Sequence, residues 1–122
     1  MGISIQFQIE EMSGYLAARF VGEGRPDEAI QQFALIAEHC KSANCKRLLI
    51  DFTAVQGKIS IVDRYNLGEK SRIFALRNLK VATVVTEEQF DAERFGELVA
   101  RNRGVNLRIF TDPRAAEEWL LT

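Results

Sequence analysis

Polar side chains that could bind a ligand or a partner follow the most apolar run of the chain. Leu48, Leu49 and Ile50 have no polar alternation, which is typical of a strand buried on both faces. Asp51 and Thr53 come where that strand is predicted to end, and a loop follows them. Ligands and partners of open α/β sheets dock outside the carboxyl ends of the strands. We therefore predict a binding or regulatory site at this corner.

A segment rich in basic residues follows the same corner. From Lys58 to Lys80 it has a net charge of +4, in a chain whose formal net charge is −1. The charged residues of the segment are Lys58, Asp63, Arg64, Glu69, Lys70, Arg72, Arg77 and Lys80. The charges could serve only solubility on a solvated helix face. Alternatively, Lys58, Arg64 and Arg72 could form a surface for an acidic protein, a nucleotide phosphate or an anionic lipid headgroup.

Ser60 is the hydroxyl residue best placed for regulation. It stands at the start of a predicted helix, three residues before Asp63, in a pattern similar to a capping box. A helix cap accounts for this serine by itself. The alternative is a phosphorylation site, because the free amides and the dipole of a helix N-terminus favour an anion there.

No set of residues indicates an enzyme, a metal site or a cofactor. His39 is the only histidine, and together with Cys40 and Cys45 it leaves a zinc ion without a full set of ligands. We expect Cys40 on the core face of a helix and His39 on its solvent face. The chain has no recognisable nucleophilic set, and Gly22–Gly24 lacks the lysine of a P-loop. We therefore expect no catalytic residue and no bound metal or cofactor.

Length and composition are those of one globular domain over residues 1–122. The chain is 47% hydrophobic and 27% charged, which is ordinary for a soluble protein. The small net charge argues against a general nucleic-acid binder. No apolar run is long enough for a transmembrane segment, and the first residues form neither a secretory signal nor a myristoylation pattern. We expect a cytoplasmic location.

Hydrophobic periodicity predicts the element order ββαβαβαβα. The predicted strands are Ile3–Ile9, Tyr15–Val21, the run after Lys46, Lys80–Val85 and Asn106–Phe110. The predicted helices are Pro26 to Asn44, Ile61–Leu76, Thr86 to Gly104, and a last one that begins at Asp112–Pro113. The second of these helices is the least amphipathic of the set.

The fold class that follows is α/β, with one five-stranded mixed sheet. The first two strands are close in sequence and should form an antiparallel hairpin. Helices between the last four strands imply parallel pairing through right-handed crossovers. The sheet is therefore mostly parallel, and we expect Trp119 of the last helix to pack against it.

Three stretches of the chain carry a resemblance to a known family. They are Leu-Leu-Ile-Asp-Phe-Thr at 48–53, Val-Ala-Thr-Val-Val at 81–85, and Leu-Arg-Ile-Phe-Thr-Asp-Pro-Arg-Ala-Ala-Glu-Glu-Trp-Leu at 107–120. The chain resembles the SpoIIAA-like proteins, also called STAS/SEC14-like, which are small bacterial domains related in fold to anti-sigma-factor antagonists. True antagonists carry an Asp-Ser-Ser-Gly or Asp-Ser-Thr-Gly motif whose first serine is phosphorylated by a partner kinase. Counted without gaps from Asp51, that motif falls on residues 59–62, where Ser60 is the one match.

The resemblance implies a non-enzymatic STAS-type interaction or regulatory module. The alternative is a protein that binds a small molecule or a lipid headgroup with the loop after the central strand. The expected partner is another protein or an anionic small ligand, and the sequence leaves a homodimer open. The candidate binding or regulatory residues are Asp51, Thr53, Lys58, Ser60, Arg64 and Arg72.

Overall fold

One five-stranded sheet organises the computed structural model, which describes residues 5–23, 26–56 and 59–122. The strands lie side by side in chain order: β1 (Gln6–Glu11), β2 (Leu16–Glu23), β3 (Arg47–Gln56), β4 (Lys80–Val84) and β5 (Asn106–Phe110). β1 pairs antiparallel with β2, and the other three pairs are parallel. The predicted mixed, mostly parallel sheet is therefore confirmed.

The helices divide unequally between the two faces of the sheet. They are α1 (Pro26–Ile30), α2 (Phe33–Ser42), α3 (Ile61–Lys70), α4 (Arg72–Leu76), α5 (Phe95–Asn102) and α6 (Pro113–Leu120). Parallel strands in chain order, joined by right-handed crossovers, return every connecting helix to the same face. Side chains of α1 to α5 accordingly pack on one face, here called the helical face. Within the described residues, α6 alone packs on the opposite face, here called the α6 face.

The core has a large layer on the helical face and a small one on the α6 face. In β3, Leu48 and Ile50 belong to the first layer and Leu49 to the second, so the predicted burial of this run on both faces is confirmed. Trp119 packs against the α6-face layer with its ring 5.8 Å from that of Phe110, as expected. Across the part of the chain that the structure describes, no helix is both long enough and apolar enough to cross a membrane.

Local signals placed three helix ends correctly. Asp112 caps α6 by accepting a bond from the Arg114 amide at 3.0 Å, and Pro113 occupies the first turn. Asn44 follows α2 with a left-handed φ of 53°, and Gly104 follows α5 with a φ of 89°. Short polar residues and glycine tolerate this conformation, which ends a helix by turning the chain away.

Three predicted helices differ from the observed ones. The first is interrupted between Ile30 and Phe33, and the second breaks at Ser71. The Ser71 hydroxyl donates to the Gly68 carbonyl at 2.7 Å, and such bonds to the preceding turn bend a helix. The third helix begins at Phe95 and not at Thr86, although the predicted reciprocal cap between Thr86 and Gln89 is present.

The start of α5 is fixed by Asp91. Its carboxylate accepts bonds from the Phe95 amide at 2.9 Å and from the Glu93 amide at 3.1 Å. The bond from Phe95 is the main cause that lowers the pKa of Asp91, with a smaller contribution from the Arg64 guanidinium. An ionised Asp91 therefore accepts the bond from the first amide of α5. The sequence predicted this capping role for Thr86, nine residues before the observed start of the helix.

Two glycines allow α3 and α5 to approach closely. A Cβ atom on Gly68 would lie 2.5 Å from the Gly96 carbonyl oxygen and 2.9 Å from Cβ of Val99. A Cβ on Gly96 would lie 3.2 Å from the carbonyl oxygen of Arg64. The glycine in the middle of α3, which costs a helix about 1 kcal/mol relative to alanine, is thus required by the packing.

Candidate functional site

Asp51 and Thr53 lie inside β3 and not at its end, because the strand continues to Gln56. Arg19 of β2 pairs with Asp51, but Val21 pairs with Ala54, so β3 has one residue more than β2 between these pairs. This is a β-bulge. The carboxylate of Asp51 accepts bonds from the amide of Thr53 at 2.8 Å and from its hydroxyl at 2.6 Å. The predicted strand end is therefore wrong, and the two residues instead shape the bulge.

Asp51 belongs to a group of polar contacts on the α6 face. Arg19 donates to Asp51 at 2.9 Å and to Glu10 at 3.2 Å. The hydroxyl of Tyr15 donates to Glu117 of α6 at 2.7 Å. Burial and this contact raise the pKa of Tyr15 to about 12, so the hydroxyl stays protonated and keeps its bond. These contacts join β2, β3 and α6. They give the Asp51 carboxylate its hydrogen-bond partners within the protein, so its position does not require a ligand.

Ser60 caps α3, as predicted. Its side-chain oxygen accepts from the Asp63 amide at 3.1 Å, and the Asp63 carboxylate accepts from the Ser60 amide at 3.3 Å. The serine is exposed at the start of the helix. The cap and an exposed hydroxyl are both present, so the phosphorylation site stays a proposal.

Removing the cap gives a first testable prediction. Ser60→Ala should lower the free energy of unfolding by about 0.5–2 kcal/mol, because the Asp63 amide loses its acceptor. Ser60→Asp should be nearly neutral, since a carboxylate can accept the same bond. Urea denaturation of the two variants beside the wild-type chain measures the difference. An alanine variant as stable as the wild type would contradict a capping role.

The basic residues after β3 do not share one surface. Arg64 is half-buried and donates to the Gln89 carbonyl at 3.0 Å, whereas Arg72 is exposed on α4. Arg77 is paired with Glu38 at 2.6 Å. The ammonium group of Lys80 lies on the α6 face, 2.7 Å from the Trp119 carbonyl oxygen. Lys58 falls outside the described residues.

The predicted corner is therefore not a single site. Asp51 lies on the α6 face, while Arg64 and Arg72 lie on helices of the helical face. Alternate side chains of a strand point to opposite faces, and the chain after β3 enters only one of them. Residues that are neighbours in sequence are thus separated by the sheet. Ser60 stands apart at the exposed start of α3.

Gln89 is a buried polar residue whose structural role the sequence does not reveal. Its side-chain amide donates to the carbonyls of Phe52 at 3.1 Å and Val55 at 2.9 Å, and its oxygen accepts from the Thr86 amide at 2.8 Å. Both of these donated bonds go to β3, one at the bulge and one just after it. The capping pattern identified Gln89 as a local residue, but nothing in the sequence connects it with β3.

An apolar cleft of about 80 Å³ lies on the helical face beside Gln89. It is bounded by β3, β4 and β5 below, and by α3, α5 and the segment before α5 above. Its apolar lining includes Ile50, Phe52, Leu67, Phe74, Phe90 and Ile109. Thr83 on β4 is buried in the wall of the cleft and is one of its few polar residues. The cleft could accept the apolar part of a small molecule.

An exposed apolar surface lies on the outside of α3 and α5, and we call it the α3–α5 surface. Ile61 and Val62 are 67% and 63% exposed, Tyr65 is 42% exposed, and Leu98 is 55% exposed. Residues three apart are neighbours on a helix, which joins Val62 to Tyr65, and Leu98 to Phe95. The rings of Tyr65 and Phe95 lie 6.5 Å apart and connect the two helices.

Among the residues that the structure describes, no three potential metal ligands lie together. Cys40 is fully buried and His39 is exposed, as predicted from their places on the helix. His39 lies edge-on to the ring of Phe7 at 6.2 Å.

Comparison with known proteins identifies the fold. No protein-family model matches the chain, and no curated protein does either. An anti-sigma factor antagonist from Mycobacterium paratuberculosis superposes with a TM-score of 0.61 at 17% identity, covering 98% of this chain and 96% of that one. A serine-to-glutamate variant of RsbS from Moorella thermoacetica gives a TM-score of 0.59 at 15% identity, covering 94% of both chains.

A third similar structure belongs to a protein of known fold and uncharacterised function. It is an uncharacterised protein of the DUF3478 family from Shewanella loihica, with a SpoIIAA-like fold. Its TM-score is 0.54 at 25% identity, and the match covers 98% of this chain and 99% of that one. The resemblance that the sequence suggested is thus confirmed at the level of structure: this chain has the SpoIIAA-like (STAS) fold.

Proposed function

We propose that the chain is a non-enzymatic regulatory module that binds another protein through the α3–α5 surface, with Ser60 at its edge. The observation that carries this proposal is the exposure of Ile61 and Val62 in the first turn of α3, directly after that serine. Continuous exposed apolar surface on a small domain is uncommon and marks interaction sites. The apolar side chains are therefore the expected centre of the interface.

The composition of the surface supports a protein partner. Tyr65 and Phe95 provide aromatic area at the centre. Arg103 lies at the rim, 3.4 Å from the Tyr65 hydroxyl and 3.4 Å from a carboxylate oxygen of Glu69. Protein interfaces are enriched in aromatic residues and arginine, with apolar residues at the centre and polar ones at the rim. A lipid headgroup or a nucleotide would not require the exposed apolar side chains.

The comparisons support the same class of function. Two chains of similar fold are an anti-sigma factor antagonist and an RsbS variant. An antagonist of another protein acts through contact with proteins, and we extend that mode of action to this chain. Phosphorylation of Ser60 would add negative charge beside Asp63 and next to the apolar surface. It would therefore weaken docking and would provide a means of regulation.

Affinity measurements with surface variants test the proposal. A partner is first captured from the native organism, and its affinity is then measured by calorimetry for the wild-type chain and for Val62→Asp. We expect at least a tenfold loss of affinity, because a buried carboxylate would replace an apolar contact at the centre of the interface. Leu35→Asp is the matched control, since Leu35 is 57% exposed on α2, away from this surface.

The outcome separates docking from a general effect of the charge. Equal losses in Val62→Asp and Leu35→Asp, or no loss in either, would contradict docking through the α3–α5 surface. Arg72→Glu tests whether the partner is acidic, because Arg72 is exposed and its reversal should leave stability nearly unchanged. Arg64 does not serve this purpose, because its bond to Gln89 makes it part of the fold.

A second candidate function is the binding of a small apolar molecule in the cleft below α3 and α5. The observation that favours it is the cleft itself, a mostly apolar wall into which Thr83 and Gln89 bring a few polar atoms. Small-molecule sites are typically clefts of this kind, apolar with a few polar groups that orient the ligand. Native mass spectrometry of the purified chain would show a bound molecule, and its loss in Thr83→Val would assign it to the cleft.

A further inference from the structure

The end of α2 brings two cysteines together. The Cys45 amide donates to the Cys40 carbonyl at 2.9 Å, and the Asn44 amide donates to the Lys41 carbonyl at 3.0 Å. With the left-handed Asn44, these are the two bonds of a Schellman motif. In this motif the side chains at the two ends of the longer bond commonly touch. Here both of those positions are cysteines, and both are free thiols.

The two thiols have different surroundings. Cys40 is fully buried in the core of the helical face. Cys45 is half-buried, and its sulfur lies 3.3 Å from the Arg47 carbonyl oxygen. A hollow of about 300 Å³ opens beside the pair and is lined by both cysteines and by Lys41, Lys46 and Arg77. Reactive cysteines occur in such partly exposed, positively charged surroundings.

The difference in burial gives the two thiols different roles. Burial raises the pKa of the Cys40 thiol to about 11, and the neighbouring Cys45 adds to this shift. In the reduced chain Cys40 is therefore protonated and shielded from a reagent in solution, so it is not the thiol that reacts first. Cys45 is the thiol that a reagent in the hollow would meet first.

We infer that Cys40 and Cys45 are a reversible disulfide site, oxidised by a small disulfide of the glutathione type. The Cys45 thiolate attacks the sulfur–sulfur bond of the reagent, forming a mixed disulfide and releasing one small thiolate. Cys40 then loses its proton to solvent and attacks the Cys45 sulfur, and the second small thiol leaves. Two protein thiols are thereby oxidised to one disulfide, and the reagent is reduced to two thiols.

The new bond would link the end of α2 to the residues just before β3. It would replace the contact between the Cys45 sulfur and the Arg47 carbonyl, and it would fix the turn that already joins the two residues. The melting temperature of the oxidised chain should therefore exceed that of the reduced chain, because the unfolded state is constrained.

Treatment of the reduced, folded full chain with oxidised glutathione tests this inference. The expected product is a monomer lighter by two hydrogen atoms, with Cys40 linked to Cys45 in the peptide map and with the change undone by a thiol reductant. Cys40→Ala should stop at one glutathione on Cys45, and Cys45→Ser should not react while folded. If Cys40→Ala does not fold, the wild-type peptide map alone decides.

Three results would overturn the inference. The wild-type chain could stop at the mixed disulfide, which would show that Cys40 cannot reach Cys45. Both thiols could remain free in the folded chain and react only in urea. The third contrary result would be a disulfide between two chains in place of the internal bond.

Discussion

Gly68→Ala is expected to lower the free energy of unfolding by about 2–3 kcal/mol, although alanine is the better helix former. The added Cβ would lie 2.5 Å from the Gly96 carbonyl oxygen, which belongs to the backbone of α5 and cannot rotate away. Either α3 or α5 must move outward, and the packing of Val99 against α3 is lost with it. The steric cost should therefore exceed the gain of about 1 kcal/mol in helix propensity.

Gly96→Ala is the matched comparison, because it adds the same atom to the facing helix. Its Cβ would lie 3.2 Å from the nearest atom, the carbonyl oxygen of Arg64, which a small shift can relieve. Its effect should stay within about 1 kcal/mol of the wild type. Urea denaturation of both variants measures the order. A Gly68→Ala chain as stable as the Gly96→Ala chain would show that the helices do not approach as closely as described.

Gln89→Leu is expected to cost about 3 kcal/mol, in spite of the similar size of the two side chains. The change leaves the carbonyls of Phe52 and Val55 and the amide of Thr86 without their partner. Each backbone group that is left unpaired in a buried position costs about 1–3 kcal/mol. Partial access of water to the Val55 carbonyl keeps the total below the sum of three full penalties.

Thr86→Ala separates this role of Gln89 from that of the local cap. It removes only the bond that the backbone amide of Gln89 donates to the Thr86 hydroxyl, and it should lower the free energy of unfolding by about 1 kcal/mol. Amide hydrogen exchange should also show faster opening after the bulge of β3 in Gln89→Leu, but not in Thr86→Ala. Equal effects of the two changes on stability and exchange would mean that Gln89 acts only as a cap.

The sequence predicts those features whose causes are local. An apolar run without alternation, as at Leu48, Leu49 and Ile50, is typical of a strand buried on both faces, and these residues are buried in β3. Ser60 and Asp112 each cap a helix through bonds to amides two or three residues away. Such signals depend on a few neighbouring residues, and they were correct.

Features that depend on distant residues could not be predicted in the same way. Asp51 stands where an apolar run ends, but the strand continues, and its carboxylate accepts a bond from Arg19 of the neighbouring strand β2 beside the bulge. Thr86 and Gln89 form the expected cap, yet no helix follows, since the side chain of Gln89 also bonds to β3. In both places a polar side chain that resembles a local signal serves a contact between elements.

The residues of the predicted site are separated in the structure for a related reason. Sequence proximity grouped Asp51 with Arg64, but the sheet lies between them, and Arg64 is used in packing. The weak amphipathicity of the predicted helix 61–76 was the available signal for the α3–α5 surface. Apolar residues spread around a helix mean that some of them are exposed, as Ile61 and Val62 are. A contiguous group of such residues favours the interaction surface proposed above.

Amide hydrogen exchange of the chain, free and bound to its captured partner, tests the proposed docking most directly. We predict that binding slows exchange in α3 from Ile61 to Tyr65 and in α5 around Leu98, while exchange in α6 is unchanged. The same experiment with Val62→Asp at equal concentrations should show little slowing. Protection confined to α6 or to the edge strand β1, with exchange of α3 and α5 unaffected by the partner, would contradict docking through the α3–α5 surface.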